Sequence, residues 1–316
     1  MRRNILLFLL VFIVLSCGET QPDSRTPFSG NPTRVLPDVA SLMKDAEIVK
    51  EIKSTSTLDI TDGVRETDFV LTLTSGQPEN VFILTVDLRR EDLSMKVALP
   101  DNSTSISSGW KRQNLTLMAE AMDSPTSQVV AMTNADFWNT STIVPRGPVH
   151  SGGEVVRSEF DTENKQQGAS YVGLLGSAGT ADRMIIGYRD TYGTYASSCT
   201  ELTGSGVILI EEGKVVDNKS YTAREPRTAI AVTKDQYVYM MVVDGRKTGV
   251  SEGMLYDDMA SIFKALGAYW AVNLDGGGSS QMLVRNPSSK QFEIRNSPSD
   301  GTQRSVIDGW AVIKKN

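Results

Sequence analysis

The chain has 316 residues and a formal net charge of −6, with 32 basic residues against 38 acidic ones. This length allows one large domain or two ordinary ones, and the composition is that of a soluble globular protein with a sizeable core. Because the net charge is negative and the protein has no excess of basic residues, we expect no nucleic-acid partner and only local anion-binding sites.

The first residues have the features of a bacterial secretory signal. Two arginines precede an apolar run over residues 5–15, which is short for a membrane span. The sequence Leu15-Ser16-Cys17-Gly18 comes at the end of this run and resembles a lipobox, in which the chain is cut before the cysteine and a lipid is attached to its sulfur. We therefore predict a lipoprotein signal peptide over residues 1–16, a lipid anchor at Cys17, and an extracytoplasmic location that is either periplasmic or at the cell surface. The alternative is a cleaved secretory peptide whose cysteine has no role.

The segment after the signal peptide is rich in Pro, Ser, Thr and Gly. Such a composition cannot bury enough apolar surface to order itself, so residues 17–36 are predicted to be a flexible tether. If Cys17 carries a lipid, Cys199 is the only cysteine left, and no intrachain disulfide can form. We expect stability to come from packing.

Residues 37–125 are predicted to form an N-terminal α+β elaboration. Pro37-Asp38 begins a helix whose apolar residues recur at helical spacing up to Val49. Three short β-rich runs predict an antiparallel meander; these are residues 69–73, 81–86 and 95–99. A second helix is predicted over residues 115–122.

A second region, residues 126–316, is dominated by strand-like runs that end at polar or charged residues. The run at 129–132 leads into Asn134-Ala135-Asp136-Phe137. Residues 144–154 are dense in turn formers, predict a loop, and include His150, the one histidine of the sequence. No acid or cysteine stands beside this histidine, which is more typical of a packed or exposed side chain than of a catalytic one.

A helix and a glycine-rich segment follow. Ser251 can cap a helix with one apolar face, and Gly267 is placed to end it. The next apolar run leads into an acid, three glycines and two serines: Asp275, Gly276, Gly277, Gly278, Ser279 and Ser280. This order predicts strand, tight turn, strand. Glycine loses more backbone entropy on folding than any other residue, so a purely structural turn rarely contains three of them. We therefore expect another group to approach the backbone here. The alternative is an ordinary glycine-rich hairpin.

Taken together, these patterns predict an α+β fold of antiparallel or mixed β-sheets with a few flanking helices. Residues 126–316 would form the main catalytic domain, preceded by the smaller elaboration. The sequence shows no internal repeat or heptad array, and we expect a monomer.

Five short motifs stand in an order that resembles the phosphodiester glycosidase family. They are Asn134-Ala135-Asp136-Phe137, Pro226-Arg227-Thr228-Ala229, Val243-Asp244-Gly245-Arg246, the segment from Asn273 to Ser280, and Arg304-Ser305-Val306. The resemblance covers residues 129–313 and is sharpest over 273–280. It departs from the family at Ala135 and Ala231, where glycine is common. Residues up to about 117 carry no matching motif, which leaves substrate selection by that region open.

The resemblance implies a hydrolase that cleaves the glycosidic bond of a sugar 1-phosphodiester, such as one of N-acetylglucosamine, on or outside the cell envelope. In such a reaction the sugar develops oxocarbenium character and the phosphate leaves with negative charge, so the site needs cations more than a strong acid. Guanidinium groups match phosphate oxygens, and we expect Arg227, Arg246 and Arg304 to bind the phosphate. The alternative for these arginines is surface ion pairs.

Carboxylates would supply the nucleophile or the base that activates water. Asp275 and Asp136 are the first candidates because each stands where an apolar strand stops. Asp244 and Glu252 are the second candidates. Asp244 has an alternative role in stabilising the turn at Gly245.

Smaller polar groups near these acids are assigned to substrate recognition. The amides of the three glycines can form an anion-binding nest, and Ser279 and Ser280 can donate to the same oxygens. Asn134 and Thr228 suit hydroxyl or acetamido groups, although a turn-stabilising hydrogen bond suits Asn134 equally well. Trp138 would either stack on a sugar face or belong to the core.

We predict no metal and no other cofactor. Oxygen atoms of Asp136, Asp244 and Asp275 would suit a hard cation such as calcium, but the sequence contains no calcium-loop pattern and no spaced His/Cys set. The expected partners are a glycan or sugar-phosphodiester substrate and, through the lipid anchor, the membrane.

Two other functions compete with the hydrolase hypothesis. The first is a non-catalytic glycan-binding surface lipoprotein that keeps the same pocket. The second is a serine hydrolase that uses Ser280 and His150, although no Gly-x-Ser-x-Gly pattern surrounds that serine.

Overall fold

The computed structural model describes residues 35–164, 166–176 and 181–316. The predicted signal peptide, the lipid anchor predicted at Cys17 and most of the tether predicted over 17–36 lie outside these described residues. Among the described helices, none has the length and apolar character that a membrane-spanning helix requires.

The described chain is mainly antiparallel β-structure with few helices, which confirms the predicted fold class. The strands in chain order are β1 (Val49–Thr61), β2 (Val64–Leu73), β3 (Pro78–Asp87), β4 (Leu93–Ala98), β5 (Ser127–Asn134), β6 (Trp138–Asn139), β7 (Val144–Pro145), β8 (Val149–Ser151), β9 (Glu154–Arg157), β10 (Ser170–Leu175), β11 (Arg183–Tyr188), β12 (Cys199–Ser205), β13 (Ile208–Glu211), β14 (Lys214–Val215), β15 (Arg227–Val232), β16 (Tyr237–Val243), β17 (Trp270–Asn273), β18 (Met282–Arg285), β19 (Phe292–Ile294) and β20 (Gly309–Lys315). The α-helices are α1 (Val39–Leu42), α2 (Leu115–Met122), α3 (Tyr192–Tyr195) and α4 (Tyr256–Ala265). Short 3-10 segments are Met43–Asp45, Pro100–Asn102, Arg189–Thr191, Ala196–Ser198 and Gly277–Ser279.

These strands form three larger sheets and a two-stranded ribbon of β6 and β7. The eight-stranded sheet has the order β1-β2-β3-β16-β15-β17-β13-β14. One five-stranded sheet has the order β11-β10-β12-β8-β9, and the other has the order β19-β18-β5-β20-β4. Every pairing between the described strands is antiparallel.

A central hydrophobic core draws side chains from all three larger sheets. In β16, Val238, Met240 and Val242 belong to this core, whereas Tyr239 and Met241 belong to a second core on the opposite face. This two-residue alternation is what a strand buried on both faces shows. The second core packs α1 and α4 against the eight-stranded sheet, and a third core packs α2 against β5 and β20.

Strands from both sides of the predicted boundary at residue 125 share sheets. β3 pairs with β16, and β4 pairs with β20, so the described chain from residue 35 onward forms one compact unit. The predicted meander is wrong in one respect. β2 and β3 are neighbours, but β4 lies in the sheet that contains β20.

The first helix is shorter than predicted, while the second agrees with the prediction. Asp38 caps α1 by accepting a hydrogen bond from the amide of Ser41 at 3.1 Å. The helix ends at Leu42 because Val49, predicted to be helical, is extended and pairs with Leu73 in β2. α2 has the predicted bounds.

The helix before the glycine-rich segment begins later than predicted. α4 starts at Tyr256, and the carboxylate of Asp258 accepts a hydrogen bond from the amide of Leu255 at 3.0 Å. The hydroxyl of Ser251, the predicted cap, lies instead 2.9 Å from Asp244 O and 3.0 Å from Glu79 Oε2, two acceptors that share its one hydrogen. Gly267 follows the helix end with φ of +75°, as expected for a helix-terminating glycine.

Candidate active site

A cleft of about 510 Å³ lies beside the glycine-rich segment. Its walls are formed by Asp275, Arg227, Arg246, Arg304, Gly276, Gly277, Gly278, Glu225, Tyr221, Tyr256, Phe137, Gln166, Gln167, Ser220, Thr222 and Ala223. The structure therefore brings together one predicted carboxylate, all three predicted arginines and all three glycines.

Neighbouring strands of the eight-stranded sheet position the charged residues of this cleft. β15 lies between β16 and β17 and is antiparallel to both. Arg227 begins β15, while Arg246 follows the end of β16 and Asp275 follows the end of β17. The start of a strand lies beside the ends of its two antiparallel neighbours, so these three residues lie at the same end of neighbouring strands and their side chains converge there.

The glycine-rich segment connects two different sheets. β17 belongs to the eight-stranded sheet and β18 to a five-stranded sheet, so the hairpin alternative is wrong. The chain crosses between them through the short 3-10 segment Gly277–Ser279. Gly277 has φ of +62°, a conformation in which an L side chain would be strained.

The glycines leave room for two arginine side chains to lie against the backbone. A Cβ on Gly277 would stand 3.1 Å from Arg246 Nη2. A Cβ on Gly278 would overlap Arg304 Nη2 and Asp300 Oδ1. The expectation that something approaches the backbone here is met by these guanidinium groups.

Asp275 lies on the cleft wall with its main chain held from behind. Asn134 Nδ2 donates to Asp275 O at 2.7 Å, and the amide of Asp275 donates to Ala135 O at 2.9 Å. Burial raises the pKa of the Asp275 carboxyl to about 6, although the Gly276 amide, which donates to Oδ1 at 2.9 Å, and the nearby Arg304 favour the ionised form. The carboxylate is therefore ionised at neutral pH and titrates just below it.

Arg227 is a buried and rigidly held cation. Its side chain is 8% exposed, and its Nε and Nη2 donate to Met254 O at 2.9 Å and to Ala223 O at 2.6 Å. Its guanidinium carbon lies 4.3 Å from the centre of the Tyr256 ring, a cation–π distance. Burial lowers the pKa of Arg227, yet a guanidinium stays protonated in proteins, so the cleft has a permanent positive wall.

The other two arginines are partly exposed and each has an acidic partner. Arg246 Nε lies 2.7 Å from Glu225 Oε2, and Arg304 Nη2 lies 2.7 Å from Asp300 Oδ2. These pairs orient the two guanidinium groups over the glycines. Exposed pairs of this kind are weak, so an incoming phosphate can compete with the carboxylates for the same nitrogens.

Asn134 and Thr228 do not line the cleft. Thr228 Oγ1 donates to Asn134 Oδ1 at 2.8 Å, and the amide of Leu274 donates to Thr228 O at 2.8 Å. These contacts fix the main chain that carries Asp275, and the expected role of Asn134 and Thr228 in substrate recognition stays a prediction.

Asp244 and Glu252, the second pair of candidate carboxylates, also lie outside the cleft wall. Asp244 is buried, and its Oδ1 accepts from the Ser297 amide at 2.9 Å and from Asn296 Nδ2 at 3.2 Å. The Glu252 amide donates to Pro78 O at 3.2 Å. These contacts hold neighbouring loops together, and the catalytic role expected of the two carboxylates stays a prediction.

Asp136 is buried beside a second acid, Asp308, and not in the cleft wall. The Asp136 amide donates to Asp308 Oδ1 at 2.8 Å, and Asp136 Oδ2 accepts from the Gly147 amide at 2.9 Å. Burial, and then the charge of Asp308, raise the pKa of Asp136 well above its ordinary value, while burial raises the pKa of Asp308 to about 7. Asp136 and Asp308 thus form a buried pair near Asp275 that retains protons, and the catalytic role expected of Asp136 stays a prediction.

The residues required for the serine-hydrolase hypothesis are not brought together. His150 lies in β8, with Nε2 2.9 Å from Tyr192 Oη and Nδ1 3.4 Å from Cys199 O. Ser280 is buried, and its hydroxyl has no hydrogen-bond partner among the described residues. Ser279 is buried as well, so neither serine lines the cleft as predicted.

Two further expectations concern a sugar platform and a cation. Arg112 covers one face of Trp138, with its guanidinium carbon 4.6 Å from the ring centre, so that face does not stack on a ligand. In the part of the chain that the structure describes, no group of three or more His, Cys, Asp or Glu side chains is arranged to hold a metal ion.

Sequence reasoning missed several residues around the cleft. Asp308 immediately precedes β20, and the rule that selected Asp275, an acid where an apolar strand stops, does not find an acid that stands before a strand begins. Glu225 adjoins the Pro226-Arg227 motif but carries no signal that it pairs with Arg246. Tyr256 gives no signal at all, because an aromatic residue at a helix start is ordinary.

Comparison with known families gives a match over more than half of the chain. The model of a family described as phosphodiester glycosidase matches residues 127–313. A curated relative, the SPbeta prophage-derived uncharacterized protein YomE of Bacillus subtilis strain 168, is 39% identical over 112 residues. That alignment spans 34% of this chain and only 16% of the relative.

Two solved structures share the fold. The catalytic domain of zebrafish N-acetylglucosamine-1-phosphodiester alpha-N-acetylglucosaminidase, auto-inhibited by its pro-peptide, superimposes with a TM-score of 0.60 at 20% identity, over 83% of this chain and 88% of that one. A hypothetical protein from Synechocystis gives a TM-score of 0.59 at 15% identity, over 84% of this chain and 64% of that one.

Proposed function

The chain belongs to the phosphodiester glycosidase family, and from this premise we propose that its cleft hydrolyses the glycosidic bond of a sugar 1-phosphodiester. The observation that carries the proposal is the presence of one ionisable carboxylate, Asp275, in a cleft with three guanidinium groups. A diester of N-acetylglucosamine 1-phosphate is the first substrate to test, since the zebrafish protein of the same fold is named for that activity.

The arginines suit the phosphate part of such a substrate. A guanidinium fork donates two parallel hydrogen bonds to phosphate oxygens, and a buried cation strengthens this interaction because water does not screen it. Arg227 is buried and fixed, whereas Arg246 and Arg304 are exposed enough to reorient onto a ligand. Together they would stabilise the charge on the phosphate as it leaves the sugar.

The carboxylate suits the sugar part. Ionised Asp275 would attack the anomeric carbon or take a proton from an attacking water, while the bond between that carbon and the phosphate oxygen breaks. In the first case a water then hydrolyses the bond between the sugar and Asp275 and restores the carboxylate. The products are the free sugar and the phosphate monoester of the remaining group. No strong acid is required for departure, because the phosphate leaves as an anion.

We also propose that the protein acts outside the cytoplasm and is anchored to the membrane by a lipid. The support is the N-terminal sequence, in which an apolar run with preceding arginines leads into the lipobox-like segment ending at Cys17-Gly18. Radiolabelled palmitate should be incorporated into the wild-type chain in a bacterial host and not into Cys17→Ala.

The test of the catalytic proposal is Asp275→Asn. Loss of the charged carboxylate should lower the release of free sugar from a sugar 1-phosphodiester by about a hundredfold or more, the range that such groups contribute. The matched control is Asp235→Asn, which makes the same change at an exposed site outside the cleft.

Two outcomes would contradict the proposal. Equal turnover by Asp275→Asn and wild type would remove the carboxylate from the mechanism. Binding of a sugar 1-phosphodiester by the wild type, with no turnover across a broad substrate panel, would instead support a glycan-binding lipoprotein.

A further inference from the structure

Tyr256 lines the cleft, and its ring packs against two neighbouring side chains. The residue is 2% exposed and opens α4. One face of its ring carries the guanidinium of Arg227 at 4.3 Å, and the ring of Tyr221 packs edge-to-face at a centre distance of 5.3 Å. The hydroxyl oxygen is therefore held at a fixed point of the wall.

The neighbours of this hydroxyl are hydrogen-bond donors. Gln166 Nε2 donates to Tyr256 Oη at 3.1 Å, and Asn273 Nδ2 donates to it at 3.3 Å. A phenol has one hydrogen to donate and two lone pairs that accept, and these two amides and the Arg227 guanidinium, which also hydrogen-bonds to the hydroxyl, all present donors to it. None of these contacts provides an acceptor for the phenol hydrogen.

A buried hydroxyl whose hydrogen lacks an acceptor is unfavourable unless a ligand supplies one. Tyr256 lines the cleft together with Arg227, whose positive charge attracts anions. An anionic phosphate oxygen is a strong acceptor, and a donor to a charged group contributes more than a neutral pair does.

We propose that Tyr256 Oη donates a hydrogen bond to a phosphate oxygen of the ligand, which makes Tyr256 a phosphate-binding residue of the cleft. The inference rests on the proposed function for the identity of the substrate, but not for the phosphate contact itself. Tyr256 and Arg227 would then bind neighbouring phosphate oxygens, the first with a neutral donor and the second with a charged one.

The first test is Tyr256→Phe, which removes the hydroxyl and keeps the ring beneath Arg227. The affinity for inorganic phosphate, measured by isothermal titration calorimetry, should fall about tenfold to a hundredfold, the effect of one hydrogen bond to a charged group. The control is Tyr188→Phe, which removes a hydroxyl that donates to Glu211 Oε2 at 2.9 Å outside the cleft. This control should bind phosphate like the wild type.

Kinetics separate the phosphate contact from a general loss of structure. With a sugar 1-phosphodiester, Tyr256→Phe should lower kcat/KM by a similar factor. With an aryl glycoside of the same sugar, which has no phosphate, it should leave kcat/KM unchanged. An equal loss on both substrates would overturn the assignment of Tyr256 to phosphate.

A second pair of variants covers the case in which Tyr256→Phe does not fold. Gln166→Glu replaces a donor by an acceptor, so the phenol hydrogen would turn to the new carboxylate and phosphate affinity should fall. Gln167→Glu adds the same charge in the same cleft without contacting the hydroxyl, and should weaken phosphate binding less. Equal losses in the two variants would contradict the proposal.

The remaining outcomes are also decisive. If wild-type protein turns over no phosphodiester but Tyr256→Phe still loses phosphate affinity, the proposed reaction fails while the phosphate contact stands. If the wild type does not bind phosphate, or if Tyr256→Phe loses thermal stability and keeps its phosphate affinity, the inference is overturned.

Discussion

The carboxyl group of Asp275 predicts the pH dependence of the reaction. Burial raises its pKa to about 6, above the ordinary value of an aspartate. A nucleophile or base must be ionised, so kcat/KM should rise with pH and reach half of its plateau near pH 6. Rates measured between pH 4.5 and 8 check this.

Removing the positive charge of Arg304 provides a second test of this pH dependence. The Arg304 cation favours ionised Asp275, so Arg304→Gln should move the midpoint to higher pH as well as weaken binding. A profile that falls through pH 6 would mean that Asp275 acts in its protonated form, contrary to the proposed role.

A methyl group on Gly278 should damage binding without unfolding the protein. In Gly278→Ala the new Cβ would overlap the ends of Arg304 and Asp300, which are flexible and can move aside. We expect KM for the phosphodiester to rise about tenfold, the effect of one lost charged hydrogen bond.

The matched control is Gly193→Ala, whose Cβ would meet nothing within 4 Å. It should leave KM unchanged. Steady-state kinetics on both variants, with urea unfolding to check stability, make the comparison. An unchanged KM in Gly278→Ala would show that Arg304 need not lie over the glycine.

The position of a residue in the sequence predicts well whether it lies at the strand ends near the cleft. It predicts poorly whether the side chain faces the cleft. Asp275 and Arg227 both lie where strands meet the edge, and both line the cleft. Asp244 lies at the same kind of position but is turned towards Asn296 and Ser297. The direction of a side chain after a strand end depends on contacts from distant parts of the chain, which the local sequence does not contain.

At the scale of elements, one buried acid on β3 holds the turn that carries Arg246. Glu79 Oε2 accepts from Ser251 Oγ at 3.0 Å and from the Gly253 amide at 2.9 Å. Ser251 Oγ also accepts from the Asn80 amide at 3.0 Å. The serine hydroxyl therefore joins β3 to the loop after β16.

Ser251→Ala should loosen this loop. The Asn80 amide would lose its acceptor in a partly buried place, which destabilises the protein by about 1 kcal/mol. Urea unfolding should show this loss, and phosphate affinity should fall because Arg246 is less well fixed. Ser54→Ala, at an exposed position of β1, should change neither quantity. An unaltered midpoint for Ser251→Ala would contradict the structural role given to this hydroxyl.

The order of the strands could be predicted only in part. β2 and β3 are close in sequence and pair as neighbours, as periodic patterns and short connections favour. The destination of β4 and the separation of β17 from β18 depend on pairings with β20 and β5, which lie far away in the sequence. Hydrophobic periodicity identifies a strand but does not identify its partner.

For the whole molecule, buried acids predict that stability falls as pH rises. Burial raises the pKa of Glu66, Glu79, Glu201 and Asp308 to about 7 each. Their folded-state pKa values exceed those of the unfolded chain, so their contribution is complete below about pH 4 and is lost as pH rises through 7. The melting temperature should therefore be higher at pH 5 than at pH 8.

Replacing one of these acids by a residue that does not ionise should weaken the dependence of the melting temperature on pH. Asp308→Asn keeps a side-chain oxygen that can accept the hydrogen bond from the Asp136 amide. It eliminates the carboxyl group that loses its proton when the pH rises. The difference in melting temperature between pH 5 and pH 8 should shrink relative to wild type. Calorimetric scans over that range test both statements, and a wild type more stable at pH 8 would contradict them.

At residues 276–278 the chain passes from the eight-stranded sheet to the five-stranded sheet that contains β18. A motion of one sheet relative to the other therefore changes the shape of the cleft. Arg246 follows a strand of the eight-stranded sheet, and Arg304 precedes a strand of the five-stranded one. Shear of one layer past the other changes the gap between these two cations. A phosphodiester that spans the gap would resist that shear, so occupancy should slow amide hydrogen exchange in β17 and β18, well beyond the atoms that the ligand touches.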